Sequence, residues 1–143
     1  MRSPKVTKYS LDELMSFLAG DIKENMSDLI AYCKELKMTP QGHKGFYDNI
    51  MRVIYKGKTI FTFDIREDGS VHLILTVVQP HDANDIFAKQ PQDIQDFFFT
   101  RLKSASHIGE NGHKLSFNNP TNEQIQYIKK LINIRRDYIS QGV

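Results

Sequence analysis

Ile50-Met51-Arg52-Val53-Ile54-Tyr55, Lys58-Thr59-Ile60-Phe61-Thr62-Phe63-Asp64-Ile65-Arg66 and Ser70-Val71-His72-Leu73-Ile74-Leu75-Thr76-Val77-Val78 decide the fold. All three runs are rich in β-branched and aromatic residues, which suit a pleated, half-buried surface. Lys56-Gly57 joins the first run to the second through a tight turn. Asp68-Gly69 joins the second to the third and is a hairpin signal, because a type I′ turn needs positive φ and glycine supplies it. Three strands over 50–55, 58–66 and 70–78 form an antiparallel meander. Val71, Leu73, Leu75 and Val77 share one face, and Phe61, Phe63 and Ile65 alternate with Thr62 and Asp64. One side of the sheet is therefore the more apolar, and helices are expected to cover it.

On the N-terminal side of the strands the period changes to that of helices. Residues 1–9 read as a loose arm. Ser10 with Glu13 matches a capping box at the start of a first helix carrying Leu11, Leu14, Met15 and Leu18. Gly20 weakens or ends it, and Asp21 is placed to cap a second helix. There Ile22, Met26, Leu29, Ile30, Cys33 and Leu36 form one stripe. The stripe stops before Pro40, and Gly42 and Gly45 mark a loop.

On the C-terminal side, Pro80 ends the third strand and a polar loop with Ile86 and Phe87 leads to Pro91. A third helix is expected over about 92–105, with Ile94, Phe97, Phe98, Leu102 and Ala105 on its apolar side. Residues 106–114 read as a loop or hairpin, and Lys114 to Phe117 as a short fourth strand. Asn119-Pro120-Thr121 starts a last helix with Ile125, Ile128, Leu131, Ile132 and Ile139 as its stripe. The order α-α-β-β-β-α-(β)-α makes a single α+β domain, an antiparallel sheet of three to five strands under about four helices.

The stretch from Gly45-Phe46-Tyr47 to Tyr55-Lys56-Gly57-Lys58, with Leu115-Ser116-Phe117-Asn118-Asn119-Pro120, Ile128-Lys129-Lys130-Leu131-Ile132 and Arg135, resembles small bacterial proteins of the YdhG-like group. The order of elements is similar to that of the YjbR-like proteins. The first resemblance implies an iron-chaperone role, proposed for some members. The second implies DNA binding, a label attached to some of its members.

Composition narrows the function without assigning it. The 143 residues are 40% hydrophobic and 25% charged, which excludes a disordered or collagen-like chain. The net charge of +2 is small for a protein that wraps nucleic acid. Residues 1–99 carry 12 basic and 14 acidic side chains, whereas residues 100–143 carry 7 and 3, so the C-terminal third is basic. The single cysteine, Cys33, suits a reducing cytoplasm. The basic N-terminus is not followed by a signal-length apolar run, and no stretch approaches the roughly 18 apolar residues of a membrane span.

Chemistry-bearing patterns are sparse. There is no GxSxG, HExxH, GxGxxG or phosphate-loop motif. Cys33 lies on an apolar helix stripe and reads as a small buried hydrophobe rather than a nucleophile. His81, Asp82 and Asp85 form the one tight cluster of histidine and carboxylates, and a solvated polar loop accounts for them more simply than a metal does. No metal site and no cofactor is expected. Gly109-Glu110-Asn111-Gly112-His113-Lys114 reads as a plain turn before an anion-binding one.

Two surfaces remain. Phe97, Phe98 and Phe99 are consecutive, and a helix turns about 100° per residue, so one of them must face a second helix, a subunit partner or a cavity. With Tyr47, Tyr55, Phe61 and Phe63, Phe98 suggests an aromatic ligand pocket between sheet and helices. The alternative is a basic face of Arg101, Lys103, His107, His113, Lys114, Lys129, Lys130, Arg135 and Arg136, suited to phosphates or left as a solvated helix face. The expected function is a cytoplasmic, non-catalytic ligand- or partner-binding module, dimeric through Phe97–Phe99 or the last helix if it self-associates. A weak nucleic-acid binder is the alternative. An enzyme ranks third, because no acid–base pair or nucleophile can be nominated.

Overall fold

In a computed structural model that describes residues 9–42, 50–109 and 112–142, the three deciding runs form the centre of a six-stranded antiparallel sheet. The strands are β1 (Gln41–Gly42), β2 (Ile50–Tyr55), β3 (Lys58–Ile65), β4 (Val71–Thr76), β5 (Ser106–Gly109) and β6 (Gly112–Asn118). Their order across the sheet is β1-β2-β3-β4-β6-β5. Five helices accompany them among the described residues: α1 (Leu11–Met15), α2 (Gly20–Glu35), α3 (Pro80–Ala88), α4 (Gln92–Ser104) and α5 (Asn122–Ser140). The chain is α+β, as expected, with one more strand and one more helix than the upper expectation. Apart from Tyr9, the expected N-terminal arm lies outside the described residues. No helix among those residues is long and apolar enough to cross a membrane.

Of the two central turns, the one at Lys56-Gly57 is tight, as expected, and the one at Asp68-Gly69 is not the type I′ turn expected there. Lys56 and Gly57 both have positive φ (49° and 78°), which is the type I′ pattern of a two-residue hairpin. At the next turn only Gly69 is positive (87°). Arg66 donates its N–H to Ser70 O, and Gly69 donates to Arg66 O, so Glu67-Asp68-Gly69 is a three-residue loop rather than a type I′ turn. The Asp68 carboxylate accepts from the backbone N–H and hydroxyl of Ser70, which favours the longer loop.

Other corrections are local. Pro80 does not lead into a loop. It occupies the first turn of α3, where its missing N–H costs nothing, and Ala83 and Phe87 turn inward four residues apart. Residues 106–109 pair antiparallel with β6 from Ser106↔Leu115 to Gly109↔Gly112, so of the two expectations for 106–114 the hairpin holds and the loop does not, and β6 starts at Gly112 rather than Lys114. Gly42 pairs with Met51 in β1. Ala19, not Asp21, is the N-cap of α2, and Asp21 lies in its first turn. The Ser10–Glu13 capping box is present, and Thr121 with Gln124 forms a second at α5. Pro120 precedes that cap. Asn119 closes the sheet instead, exchanging hydrogen bonds with Val71 through its N–H and side-chain oxygen.

The apolar face is the expected one. Phe61, Phe63 and Ile65 of β3 pair with Leu75, Leu73 and Val71 of β4, and all six are buried. Leu115 and Phe117 of β6 extend the row. Ile60 is an extra residue in β3, since Val53 pairs with Phe61 but Ile54 pairs with Thr59. This bulge buries two neighbours, Ile60 and Phe61, where strict alternation would expose one.

Arg135 corrects the sequence reading most. Placed on the solvated face of the last helix, it is only 1% exposed. Its guanidinium donates to Val77 O at 3.1 Å and Thr59 O at 3.2 Å. These carbonyls lie beside the bulge and just past the end of β4, where the regular ladder is interrupted. Burial pushes the Arg135 pKa down, yet an arginine stays charged across the accessible pH range. Arg135→Met keeps much of the volume but removes both donors. It is expected to lower the unfolding free energy by about 2 kcal/mol, seen as a lower urea midpoint at unchanged slope. A midpoint equal to wild type would contradict this role.

Candidate ligand groove between two helices

The three consecutive phenylalanines of α4 all find aromatic partners within the chain, on two different helices. Phe98 is buried and stacks on Phe87 of α3 at 3.8 Å between centroids. Phe99 meets the same Phe87 ring edge-on at 5.8 Å. Phe97 turns towards α5 and stacks on Tyr127 at 4.5 Å, with ring planes 11° apart. The sequence expectation of a second helix or a cavity is met in both forms, because Phe97 and Tyr127 also line an open groove of about 410 Å³. That size lies within the range of small-molecule sites.

Helical spacing builds the walls. Asp93, Asp96, Phe97, Thr100, Arg101 and Ser104 line the α4 side, and Glu123 and Tyr127, four residues apart, line the α5 side. The Tyr127 hydroxyl donates to Asp93 Oδ2 at 3.2 Å. Desolvation, aided by that contact, raises the Tyr127 pKa. Lys130 Nζ lies 3.9 Å from the same carboxylate and 5.2 Å from the Tyr127 ring centre. Gln92 donates to Asp96 at 2.8 Å. Arg101 turns its guanidinium inward, donating from Nε and Nη2 to Ser116 O and lying 4.4 Å over the Phe117 ring. Burial lowers its pKa. The groove thus combines an aromatic wall, three carboxylates, and cations already held by protein groups.

The residues expected to form a ligand pocket are distributed otherwise. Phe61 and Phe63 lie 5.9 Å apart in the buried face of β3, and Phe98 packs against α3. Tyr55 stands at the end of β2, 3.3 Å from the Ser140 hydroxyl and beneath Arg136. Tyr47 lies outside the described residues. The basic residues point in several directions. Lys129 faces α2, Lys130 faces α4, and Arg136 faces Tyr55 of β2. Lys103 and His107 are exposed, while His113 and Lys114 lie on β6. His113 is half-buried near the Phe98 ring, and desolvation lowers its pKa.

His81 Nε2 lies 3.3 Å from Asp82, whose carboxylate also accepts from the Tyr138 hydroxyl at 2.6 Å, and Asp85 is exposed on α3. Among the described residues no three His, Cys, Asp or Glu side chains are grouped to hold a metal ion. Cys33 is fully buried and its thiol is pushed up to about 12. Glu110 and Asn111 of the glycine turn lie outside the described residues.

Asp93, Asp96, Thr100, Ser104 and Glu123 are the groove residues that sequence reasoning passed over. The signal that could have found them is the Phe97–Phe99 run, which leaves one ring turned away from the core and its helix neighbours beside it. Compared with family models, with curated proteins and with solved structures, the chain shows no match in any of the three.

Lys129 is the basic residue whose engagement is easiest to measure. Its ammonium contacts both Asp28 oxygens, at 2.8 and 2.9 Å, and lies 5.4 Å from the Tyr32 ring centre. The hydrogen bond from Lys129 is the main cause holding the Asp28 carboxyl below its usual range. The stabilisation is therefore present above the unfolded carboxylate pKa of about 3.9 and is lost as pH falls through the lowered folded value. Lys129→Met should make the melting temperature fall less steeply than wild type below about pH 4. Parallel curves for the two proteins would show that the pair contributes nothing.

Proposed function

We propose that the chain is a non-catalytic binding module whose α4–α5 groove receives a small ligand with a flat apolar body and a protonated amine. The observation that carries this reading is the Phe97–Tyr127 wall beneath Asp93, Asp96 and Glu123. A flat body gains from covering aromatic surface, and an ammonium gains from carboxylates at the rim and from ring faces. Glu123 is the carboxylate with the least internal competition, since Asp93 faces Tyr127 and Lys130, and Asp96 faces Gln92. Thr100 and Ser104 add hydroxyls for orientation. A cytoplasmic setting fits the lone buried thiol.

The nucleic-acid alternative draws less support. Lys129 is tied to Asp28, Arg101 to Ser116 and Phe117, and Arg135 to core carbonyls. Each would have to leave an internal partner before meeting a phosphate.

Tyramine and 3-(4-hydroxyphenyl)propionate share a ring and differ in the sign of the chain end. Tyramine is expected to raise the melting temperature and the propionate to leave it unchanged. Glu123→Gln and Tyr127→Leu, both at the groove surface, should each weaken tyramine by about fivefold or more. Equal effects of the two compounds would overturn the reading. So would a single-stranded oligonucleotide that binds with steep salt dependence while tyramine does not bind.

A further inference from the structure

The free edge of the sheet carries a second set of recognition groups, distinct from the groove. β5 is the last strand in the order and, among the described residues, pairs only with β6. Ser116 donates its N–H to Ala105 O, and residues opposite one another across this pair sum to the same register as Ser106↔Leu115. Hydrogen-bonded pairs alternate along an antiparallel ladder. Ala105, His107 and Gly109 therefore face β6 with their backbone groups, and Ser106 and Ile108 turn theirs outward. Such a row is a template for another strand unless it is blocked by proline, a bulge or a cover. Ser106-His107-Ile108-Gly109 contains no proline, and its register with β6 is unbroken.

The side chains around this edge say what kind of strand fits it. Ile108 is 67% exposed, an unusual state for a large aliphatic side chain in this molecule. His107 is exposed and pairs with Lys114 on the opposite face. Gly109 matters for that lysine. A Cβ there would collide with Lys114 Cε, so the missing side chain lets the Lys114 stem lie across β5 and carry its ammonium over the strand. Lys103 is exposed at the end of α4, one turn before β5 begins. In sequence, residues 101–116 hold Arg101, Lys103 and Lys114 against Glu110 alone, and Glu110 lies outside the described residues.

We propose that β5 is a docking edge for an extended segment of a partner protein in which acidic side chains alternate with apolar ones. Its backbone pairs with the outward N–H and C=O groups of Ser106 and Ile108. Its apolar side chains lie beside Ile108, and its acidic ones beside His107 and Lys114 on the other face. This is strand addition, in which main-chain bonds give affinity and alternate side chains give specificity. A second copy of this chain fits less well, because antiparallel pairing of two β5 edges brings the same basic groups together.

The test uses the full chain and two labelled peptides, acetyl-EVEVEVE-amide and acetyl-KVKVKVK-amide, followed by fluorescence anisotropy and amide NMR. The acidic peptide is expected to bind at least about tenfold more tightly than the basic one, and more weakly as salt rises. The Ser106 and Ile108 amides should gain protection from exchange on binding. Lys114→Glu, on the strand face, should reverse the preference. Gly109→Ala, which displaces the Lys114 stem without forcing positive φ, should weaken the acidic peptide severalfold. Equal binding of both peptides, no binding at millimolar concentration, or protection of amides elsewhere would overturn the proposal. Self-association of the free chain through β5 would do so as well, since the edge would then belong to a second copy.

Discussion

Arg135 joins the last helix to the sheet at two irregular places, beside the β3 bulge and just past the end of β4. The β3 bulge buries Ile60 and Phe61 together, and β4 runs out of regular ladder before Val77. Carbonyls at such points need donors, because a buried unpaired polar group costs about as much as a hydrogen bond is worth. A guanidinium supplies several donors in a fixed fork and stays charged when desolvated. Once α5 is held there, Ile125, Ile128, Leu131 and Ile132 lie in the core, and its N-terminal half stands beside α4. The groove between the two helices follows from that placement.

The same helix shows how one element is divided among tasks. Lys129 faces Asp28 and Tyr32 of α2, Tyr127 and Lys130 face α4, and Tyr138 reaches the first turn of α3 through Asp82. Its polar side chains are largely fasteners between helices. That leaves the carboxylates around Phe97 and Tyr127 as charge not fully used in holding the fold together. The free edge at β5 is similar, since Ile108 and His107 contribute little burial where they stand.

Local patterns made most of the fold legible, and non-local pairing hid the rest. The alternation in β3 and β4, the capping box at Ser10 and the long stripes of α2 and α5 are periodic signals within one window. α3 was obscured because Pro80 reads as a strand stop, whereas β4 ends earlier at Thr76 and the proline sits in the first turn of a helix. β5 was obscured because Ser106-His107-Ile108-Gly109 has little β character, and only β6 makes it a strand. Arg135 was readable in principle. It lies four residues from both Leu131 and Ile139, on the buried stripe, and charge alone argued for solvent. The groove needed α4 and α5 side by side, so beyond the Phe97–Phe99 run nothing in the sequence marked Asp93 or Glu123. Tyr47, Tyr55, Phe61, Phe63 and Phe98 share chemistry, but chemistry alone does not set the direction of a side chain.

The central claim is that the α4–α5 groove is a site, and the most direct measurement is where a bound amine sits. An amide chemical-shift map of the chain with tyramine is predicted to move Asp96, Phe97 and Thr100 of α4 with Glu123 and Tyr127 of α5, and to leave β2 and the C-terminal half of α5 still. A map centred on Tyr55 and Arg136, or on β5 and β6 away from the helices, would contradict the account.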